Sequence, residues 1–279
     1  MEPIVIRIPM HMEFLAPWEC DVFRVGGLRD GGYVVGKKSL ERAGSLLSLG
    51  IASEWSFDSD FLSRRPDISY LACDRSSGAL VHLIGALRST IRFSSASNSL
   101  KSLRRTIDFT TLVPPLSLSR RRRFVRKWVR ATAVDSSTEV PFSELVDSLK
   151  STRPIFLKMD IEGGEYELLP SVTKEVTIAP ETFCGFCIEF HEVGTRFDEI
   201  QHFLKQLETS FAIVHLHANN CSPLVNGFPD AIEVTLAPRI DIGSKQIIEL
   251  PRREFDIPNS SVDSDYVLRF RDSSRSQTV

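Results

Sequence analysis

Short apolar runs closed by a glycine or an acid alternate with amphipathic stretches along most of this 279-residue chain. "GSLLSLG", Gly44 to Gly50, and "ISYLACD", Ile68 to Asp74, read as buried strands. Between them "SFDSDFLSRR" sets a serine and two acids ahead of an amphipathic segment, the start signal of a helix. "SSGALVHLIGALRS" predicts the next helix, with Leu80, Leu83, Ile84 and Leu87 at helical spacing. "PFSELVDSLK" predicts another, with proline in an allowed first-turn position. The strand "PIFLKMD", the helix of "GEYELLPSV" and the strand "FCGFCIEFHEV" follow. "DEIQHFLKQLETSF" then places Ile200, Phe203, Leu204 and Leu207 on one helical face. Such alternation calls for a mainly parallel sheet covered on both faces.

The pattern breaks near the end. "FAIVHLH", Phe211 to His217, and "AIEVTLA", Ala231 to Ala237, are separated only by "ANNCSPLVNGFPD", which has loop composition and no helical period. A parallel crossover needs a longer connection, usually helical, so these two runs are expected as antiparallel neighbours. The expected fold is α/β: a Rossmann-like, doubly wound, mainly parallel sheet ending in an antiparallel strand pair. That arrangement is similar to class I methyltransferases and unlike nicotinamide dehydrogenases. The organisation expected is an N-terminal segment (1–40) capping the core, a main domain (41–238) with a basic insertion at about 104–133, and a C-terminal extension (239–279).

Composition excludes little else. The chain is 42% apolar and 25% charged with a net charge of -2, values ordinary for a globular protein. "MEPIVIRIPMHMEF" has neither a basic lead nor a long apolar core, and no apolar run reaches the roughly 18 residues of a membrane span, so the expected location is the cytoplasm. Five cysteines, odd in number and scattered, do not form a disulfide framework. Cys184 and Cys187 match C-x-x-C but lead into a strand, which favours buried strand cysteines over a redox or zinc pair.

Ligands of open α/β sheets lie beyond the carboxyl ends of the strands, where strand order reverses. The turn after the first strand of the expected sheet, "SLGIASEWSFD", has a single glycine, Gly50, and lacks both phosphate-binding glycine fingerprints. It carries Glu54 and Asp58, acids that repel phosphate and suit an ammonium group. Asp74 ends the second strand at about the 20-residue spacing where an acid takes ribose hydroxyls. A ribose and a cationic amino-acid end without phosphate describe S-adenosylmethionine. The plainer reading of Asp74 is an N-cap for the segment that follows.

These residues carry a resemblance. "RVGGLRDGGYVVG", "SLGIASEWSFD", "ACDRS", "VPFSELV" leading into "FLKMDIEGGEYELL", "IEFHEV", "VHLHANN", "AIEVTL" and "LPRREFDIPN" occur in the order of the FkbM-type S-adenosylmethionine-dependent methyltransferases. "KMDIEGGE" resembles that family's lysine, variable, aspartate, variable, glutamate, glycine, variable, glutamate pattern. The resemblance spans Arg24 to Asn259 and implies O-methylation of hydroxyls on sugars, polyketides, glycans or glycolipids. The arginine-rich stretch from Arg104 to Ala133 departs from it.

On this reading Gly50, Ile51, Glu54, Asp74, Arg75 and Asp160 hold the cofactor. Asp160, at the mouth of the strand "FLKMD", and His191 are the catalytic candidates, histidine being the natural base near neutral pH. Gly163 and Gly164 would let backbone and a helix N-terminus approach the ligand. Glu165 and Glu167 read plainly as first-turn acids of that helix. Asp30, Tyr33, Glu162, Glu189, His217, Asn219 and Asn220 are expected to line the acceptor side. A histidine at a strand end is as often a hydrogen-bonded structural residue. A divalent metal on Asp160, Glu189 or His191 with an asparagine oxygen suits oxygen-rich chemistry, but no metal is assigned.

"SRRRRFVRKWVR", Ser119 to Arg130, reads as a basic amphipathic helix with Phe124, Val125, Trp128 and Val129 on one face. It is either a solvated lid packed by Trp128 or a docking surface, Arg120 to Arg130, for an anionic acceptor or membrane. No stable nucleic-acid partner is expected. The alternative to an enzyme is a non-catalytic module of the same fold that binds anionic membrane or nucleic acid through this helix.

Overall fold

The computed structural model describes residues 2–29, 31–52, 54–77 and 121–271. In chain order the first half holds β1 (Ile4–Arg7), β2 (Val22–Gly26), β3 (Gly32–Gly36), α1 (Lys37–Arg42), β4 (Ser45–Leu49), α2 (Ser56–Arg64) and β5 (Ser69–Cys73). There follow β6 (Arg122–Val125), β7 (Trp128–Arg130), β8 (Glu139–Pro141), α3 (Phe142–Asp147), β9 (Ile155–Met159), α4 (Glu165–Ile178), β10 (Phe183–Phe190) and α5 (Val193–Leu207). The chain closes with β11 (Phe211–Ala218), β12 (Leu224–Val225), β13 (Phe228–Pro229), β14 (Ile232–Pro238), β15 (Glu249–Leu250) and β16 (Tyr266–Arg269).

Seven strands form the central sheet in the order β11-β14-β10-β9-β4-β5-β6. β4 is parallel to β5 and β9, β5 to β6, and β9 to β10, while β14 runs antiparallel to both β10 and β11. The sheet is therefore doubly wound and mainly parallel, with the expected antiparallel pair at one edge. Strand order reverses between β4 and β9, which sets the ligand crevice at their carboxyl ends.

One face of the sheet is apolar. Leu157, Phe186, Ile188, Phe190, Val234 and Leu216 pack there with Leu168, Leu169 and Val172 of α4 and Phe203 and Leu204 of α5. The predicted stripe on α5 is buried at Ile200, Phe203, Leu204 and Leu207. The other face is apolar only towards β4 and β5, where Leu46, Tyr70 and Phe156 meet Phe57 and Phe61 of α2 and Val25 and Val35 of the β2–β3 hairpin. Towards β10, β14 and β11 that face turns polar. Cys187, Thr235 and His215 share one rung, and Glu189, Glu233 and His217 the next. The hairpin covers them, with the Val34 carbonyl accepting from Thr235 Oγ1 at 2.5 Å. Cys184 and Cys187 are buried, and burial pushes each thiol up to about 12, so neither is a thiolate.

Two expectations change. The basic run is not a helix: Arg122–Val125 is the edge strand β6 and Trp128–Arg130 the short strand β7, parallel to β8. Phe124 and Val125 are β-formers, and the open edge of β5 supplies backbone partners that outweigh helical spacing. Trp128 is 49% exposed and packs no lid. Arg121, Arg123, Lys127 and Arg130 bond to Asp67 O, Ser148 O, Ser136 O and the carboxylates of Glu139 and Glu167. Arg120 and the helix expected over "SSGALVHLIGALRS" lie outside the described residues, apart from Ser76 and Ser77 at its start. The two ends of the chain also meet: β1 pairs in parallel with β16, which carries β15 on its other side.

Candidate active site

The carboxyl ends of β4, β5 and β9 are stitched together by main chain. Gly50 N donates to Cys73 O at 3.1 Å, and Asp160 N to Leu49 O at 3.0 Å. Gly50 has φ +75°, and a Cβ there would overlap the carbonyl oxygen of Asp160. The glycine is required both by its dihedral and by the crossing of the two strand ends. Gly163 also has a positive φ, +93°, but a Cβ would meet only Glu192 Oε1 within 4 Å, so its requirement is conformational.

Asp74 is buried and ties two turns together. Its Oδ2 accepts from Ile51 N at 3.0 Å and Ala52 N at 2.6 Å, and its Oδ1 from Ser76 N at 2.6 Å, Ser76 Oγ at 2.7 Å and Ser77 N at 3.2 Å. Ile51 is buried, Arg75 half-buried, and Glu54 exposed with Oε1 accepting from Ser56 N at 3.0 Å. Asp58 does not face this crevice. It is 1% exposed and accepts from Tyr70 OH at 3.0 Å, and burial raises its carboxyl.

Asp160 lies at the mouth of β9, with its side chain 24% exposed. Its Oδ2 accepts from Lys158 Nζ at 3.1 Å and from Tyr33 OH at 3.0 Å. Lys158, buried within β9, also donates to Gly50 O at 2.5 Å. Burial opposes both charges. The attraction of each for the other prevails, lowering the Asp160 carboxyl and raising the lysine. Tyr33 OH stands 3.0 Å from Glu189 Oε2 as well, and Glu189 Oε1 accepts from Asn219 Nδ2 at 2.9 Å. Burial, then Glu233 and Asp160, push Glu189 up to about 8. A phenol has one proton for two carboxyl oxygens, so a protonated Glu189 donates to Tyr33, which donates to Asp160.

His191 sits beside this chain of groups. Its Nδ1 is 3.1 Å from Glu165 Oε1, and its Nε2 is 3.6 Å from Glu162 and 3.9 Å from Glu189. Burial works against the charged ring, but the hydrogen bond and charge of Glu165, with Glu189 and Asp160, raise it to about 9. Glu165 is fully buried, and its Oε1 also accepts from Ile161 N at 2.9 Å. Glu162 has φ +55° and an 83% exposed side chain. Asp160, Glu162 and His191 each bring a ligand atom within 4.8 Å of the others, a set able to hold a metal ion.

Asp160, His191, Tyr33, Glu162, Glu189 and Asn219 are thus brought together. His217 and Asn220 are not. Asn220 binds the C-terminal segment through Ser260 N at 2.8 Å and Ser260 O at 3.0 Å. His217 Nε2 meets Asn259 Oδ1 at 2.7 Å, and His215 Nε2 meets Asp256 Oδ1 at 2.8 Å. Asp30 lies outside the described residues. Sequence reasoning missed Lys158 and the role of Glu165. A lysine between Leu157 and Met159 in a buried strand was itself a signal, because buried lysines need partners.

This strand order, with acids at the ends of β4's neighbours β5 and β9, defines a class I methyltransferase. The chain belongs to the FkbM methyltransferase domain family, whose domain matches residues 65–211, just over half of the sequence, and it is accordingly an S-adenosylmethionine-dependent methyltransferase. No curated protein matches it. Among solved structures it is similar to the human methyltransferase 10 domain containing protein, at 10% identity over 70% of each chain with a TM-score of 0.36. A putative O-methyltransferase from Klebsiella pneumoniae gives 10% identity over 70% of this chain and 73% of that one, with a TM-score of 0.34. Spermidine synthase from Thermotoga maritima gives 11% identity over 78% and 59%, with a TM-score of 0.37. At these values the likenesses carry no argument. Among the described residues no helix is long and apolar enough to cross a membrane.

Proposed function

We propose that this chain methylates a hydroxyl oxygen on a sugar, glycan, glycolipid or related natural product. The observation that supports oxygen as the acceptor is the hydrogen-bonded series Asp160–Tyr33–Glu189–Asn219 at the carboxyl ends of β9 and β10. An alcohol must lose a proton when methylated, whereas a neutral amine can take the methyl group without a base.

When bound, S-adenosylmethionine supplies a methyl group already activated on a sulfonium. The residues fit it by chemistry: Glu54 and Asp160 suit its cationic end, and Asp74 its ribose. The Ser76 hydroxyl on Asp74 Oδ1 marks the lone pair that a ribose hydroxyl would take over. Asp160 receives the acceptor proton. It is kept ionised by Lys158, and that suffices because the oxygen grows acidic as its new bond to carbon forms. His191, charged at neutral pH, orients the acceptor and balances Glu162 and Glu165 instead of serving as the resting base. The arginines of β6, Arg122 and Arg123, pair with Tyr70 and Leu71 in the amino-terminal half of β5, away from the crevice, and do not favour an anionic acceptor there.

Calorimetric titration with S-adenosylhomocysteine, with Asp74→Ala as control, tests the cofactor assignment. Saturable binding that the variant loses is expected. Mass-spectrometric screening of hydroxylated and amine acceptors tests the oxygen: product from amines alone would overturn the reading.

A further inference from the structure

Away from that crevice, His215, His217 and Asp256 bring three ligand atoms within 4.8 Å of one another, and all three residues are buried. His215 and His217 point from β11 to the polar face of the sheet, and Asp256 comes from the segment between β15 and β16. His215 Nε2 is 2.8 Å and His217 Nδ1 3.3 Å from the same oxygen, Asp256 Oδ1. Donor atoms of one tetrahedral metal at 2.0–2.2 Å lie about 3.3–3.6 Å apart, so the His217 pair stands at coordination spacing, and the His215 pair, at hydrogen-bond distance, must open by about half an ångström to admit an ion.

Tautomer logic strengthens the case. Asn259 Nδ2 donates to Glu233 Oε1 at 3.1 Å, which fixes the amide and turns its oxygen towards His217. His217 Nε2 is therefore the protonated nitrogen, bonded to Asn259 Oδ1 at 2.7 Å. In the neutral ring Nδ1 is then a bare lone pair, buried, with no hydrogen-bond partner among the described residues, and it faces a carboxylate oxygen. Facing a carboxylate oxygen at 3.3 Å, that nitrogen carries either a proton or a metal ion in the proton's place. The surroundings supply the outer contacts of a metal site: Asn259 orients one imidazole, and Arg252 N holds Asp256 Oδ2 at 2.6 Å. Glu233, buried and in register with His217, offsets the charge of the ion.

We propose that His217 Nδ1, His215 Nε2 and Asp256 Oδ1 bind a divalent first-row transition metal, zinc by preference for its imidazole and carboxylate donors. The ion clamps the C-terminal segment onto β11. That segment in turn touches the hairpin that carries Tyr33, where Arg24 Nη1 donates to Phe255 O at 3.4 Å. His215 Nδ1 has no hydrogen-bond partner among the described residues.

The test uses the full chain, purified without chelator or histidine tag, with metal content measured by mass spectrometry after exposure to zinc and desalting. One tightly held ion per chain is expected. Replacement by cobalt should give visible absorption of a nitrogen- and oxygen-ligated site, and stripping with dipicolinate should lower the melting temperature. His191→Ala should keep the ion, and Asp256→Asn, which preserves shape and hydrogen bonding, should lose it. Wild-type protein that retains only sub-stoichiometric metal and melts alike with and without chelator would overturn the proposal. So would an ion lost in His191→Ala but kept in Asp256→Asn, because it would then sit at Asp160, Glu162 and His191.

Discussion

Replacing Glu165 by glutamine separates charge from shape at the site. Glutamine keeps an oxygen for Ile161 N and His191 Nδ1, which lie 2.9 Å and 3.1 Å from Oε1, and exchanges the charged carboxylate for a neutral amide. An opposite charge at this range raises a histidine by about 1–3 units, so His191 should fall from about 9 towards its ordinary value. The linkage has a definite sign. A folded-state value above 6.5 gives stability that is complete below that pH and is lost as pH rises through about 9. One such proton changes stability by at most about 1.4 kcal/mol per pH unit, and less here because the ring is 21% exposed. Glutamine should flatten that decline. It should also cost about 1–3 kcal/mol at all pH values, because its NH2 replaces the buried Oε2, which has no hydrogen-bond partner among the described residues. Side-chain nitrogen NMR gives the titration directly, and urea unfolding across the pH range gives the slope. A His191 titration unchanged in the variant would refute the assignment of Glu165 as the group that holds the ring charged.

Four further outcomes are expected. Tyr33→Phe should lower turnover by about 100-fold by cutting the link between Asp160 and Glu189, with cofactor affinity unchanged in calorimetry. Gly50→Ala should destabilise the fold by more than about 3 kcal/mol, read by denaturant unfolding or loss of soluble protein, because a Cβ meets the Asp160 carbonyl at a positive φ. Lys158→Met should raise the Asp160 carboxyl and shift the acid limb of the pH–rate profile upward. Glu189, raised to about 8 by burial and its acidic neighbours, holds its proton more tightly folded than unfolded. Wild-type stability should therefore fall between pH 6.5 and 9, and a rise over that window in unfolding experiments would contradict both assignments.

The strand and helix periods announced the central sheet, and the short loop between "FAIVHLH" and "AIEVTLA" announced its antiparallel edge. Local pattern suffices there because each element's apolar spacing decides which face it buries. It failed at "RRRRFVRKWVR", where a neighbouring strand edge, invisible in the segment itself, decided the conformation. The site was legible where a residue type is unusual for its element, as with Asp160 at a strand end. Glu165 misled because a first-turn glutamate has an ordinary explanation, and only the approach of His191 from another strand gives it a further role. His217 and Asn220 were placed near the acceptor by their position at the end of β11. They answer instead to Asp256, Asn259 and Ser260, some forty residues away, and no local pattern forecasts that distance.

The parallel pairing of β1 with β16 has a consequence for biosynthesis. Ile4–Arg7 is made 262 residues before its hydrogen-bonding partner, Tyr266–Arg269. On the ribosome β1 must wait until that partner has been made, because no contact of such sequence separation can close earlier. The sheet of β1, β16 and β15 then assembles after every strand of the central sheet has been made, and the segment bearing Asp256 and Asn259 is drawn onto a β11 already synthesised. Maturation of the polar face in this way follows synthesis of the central sheet.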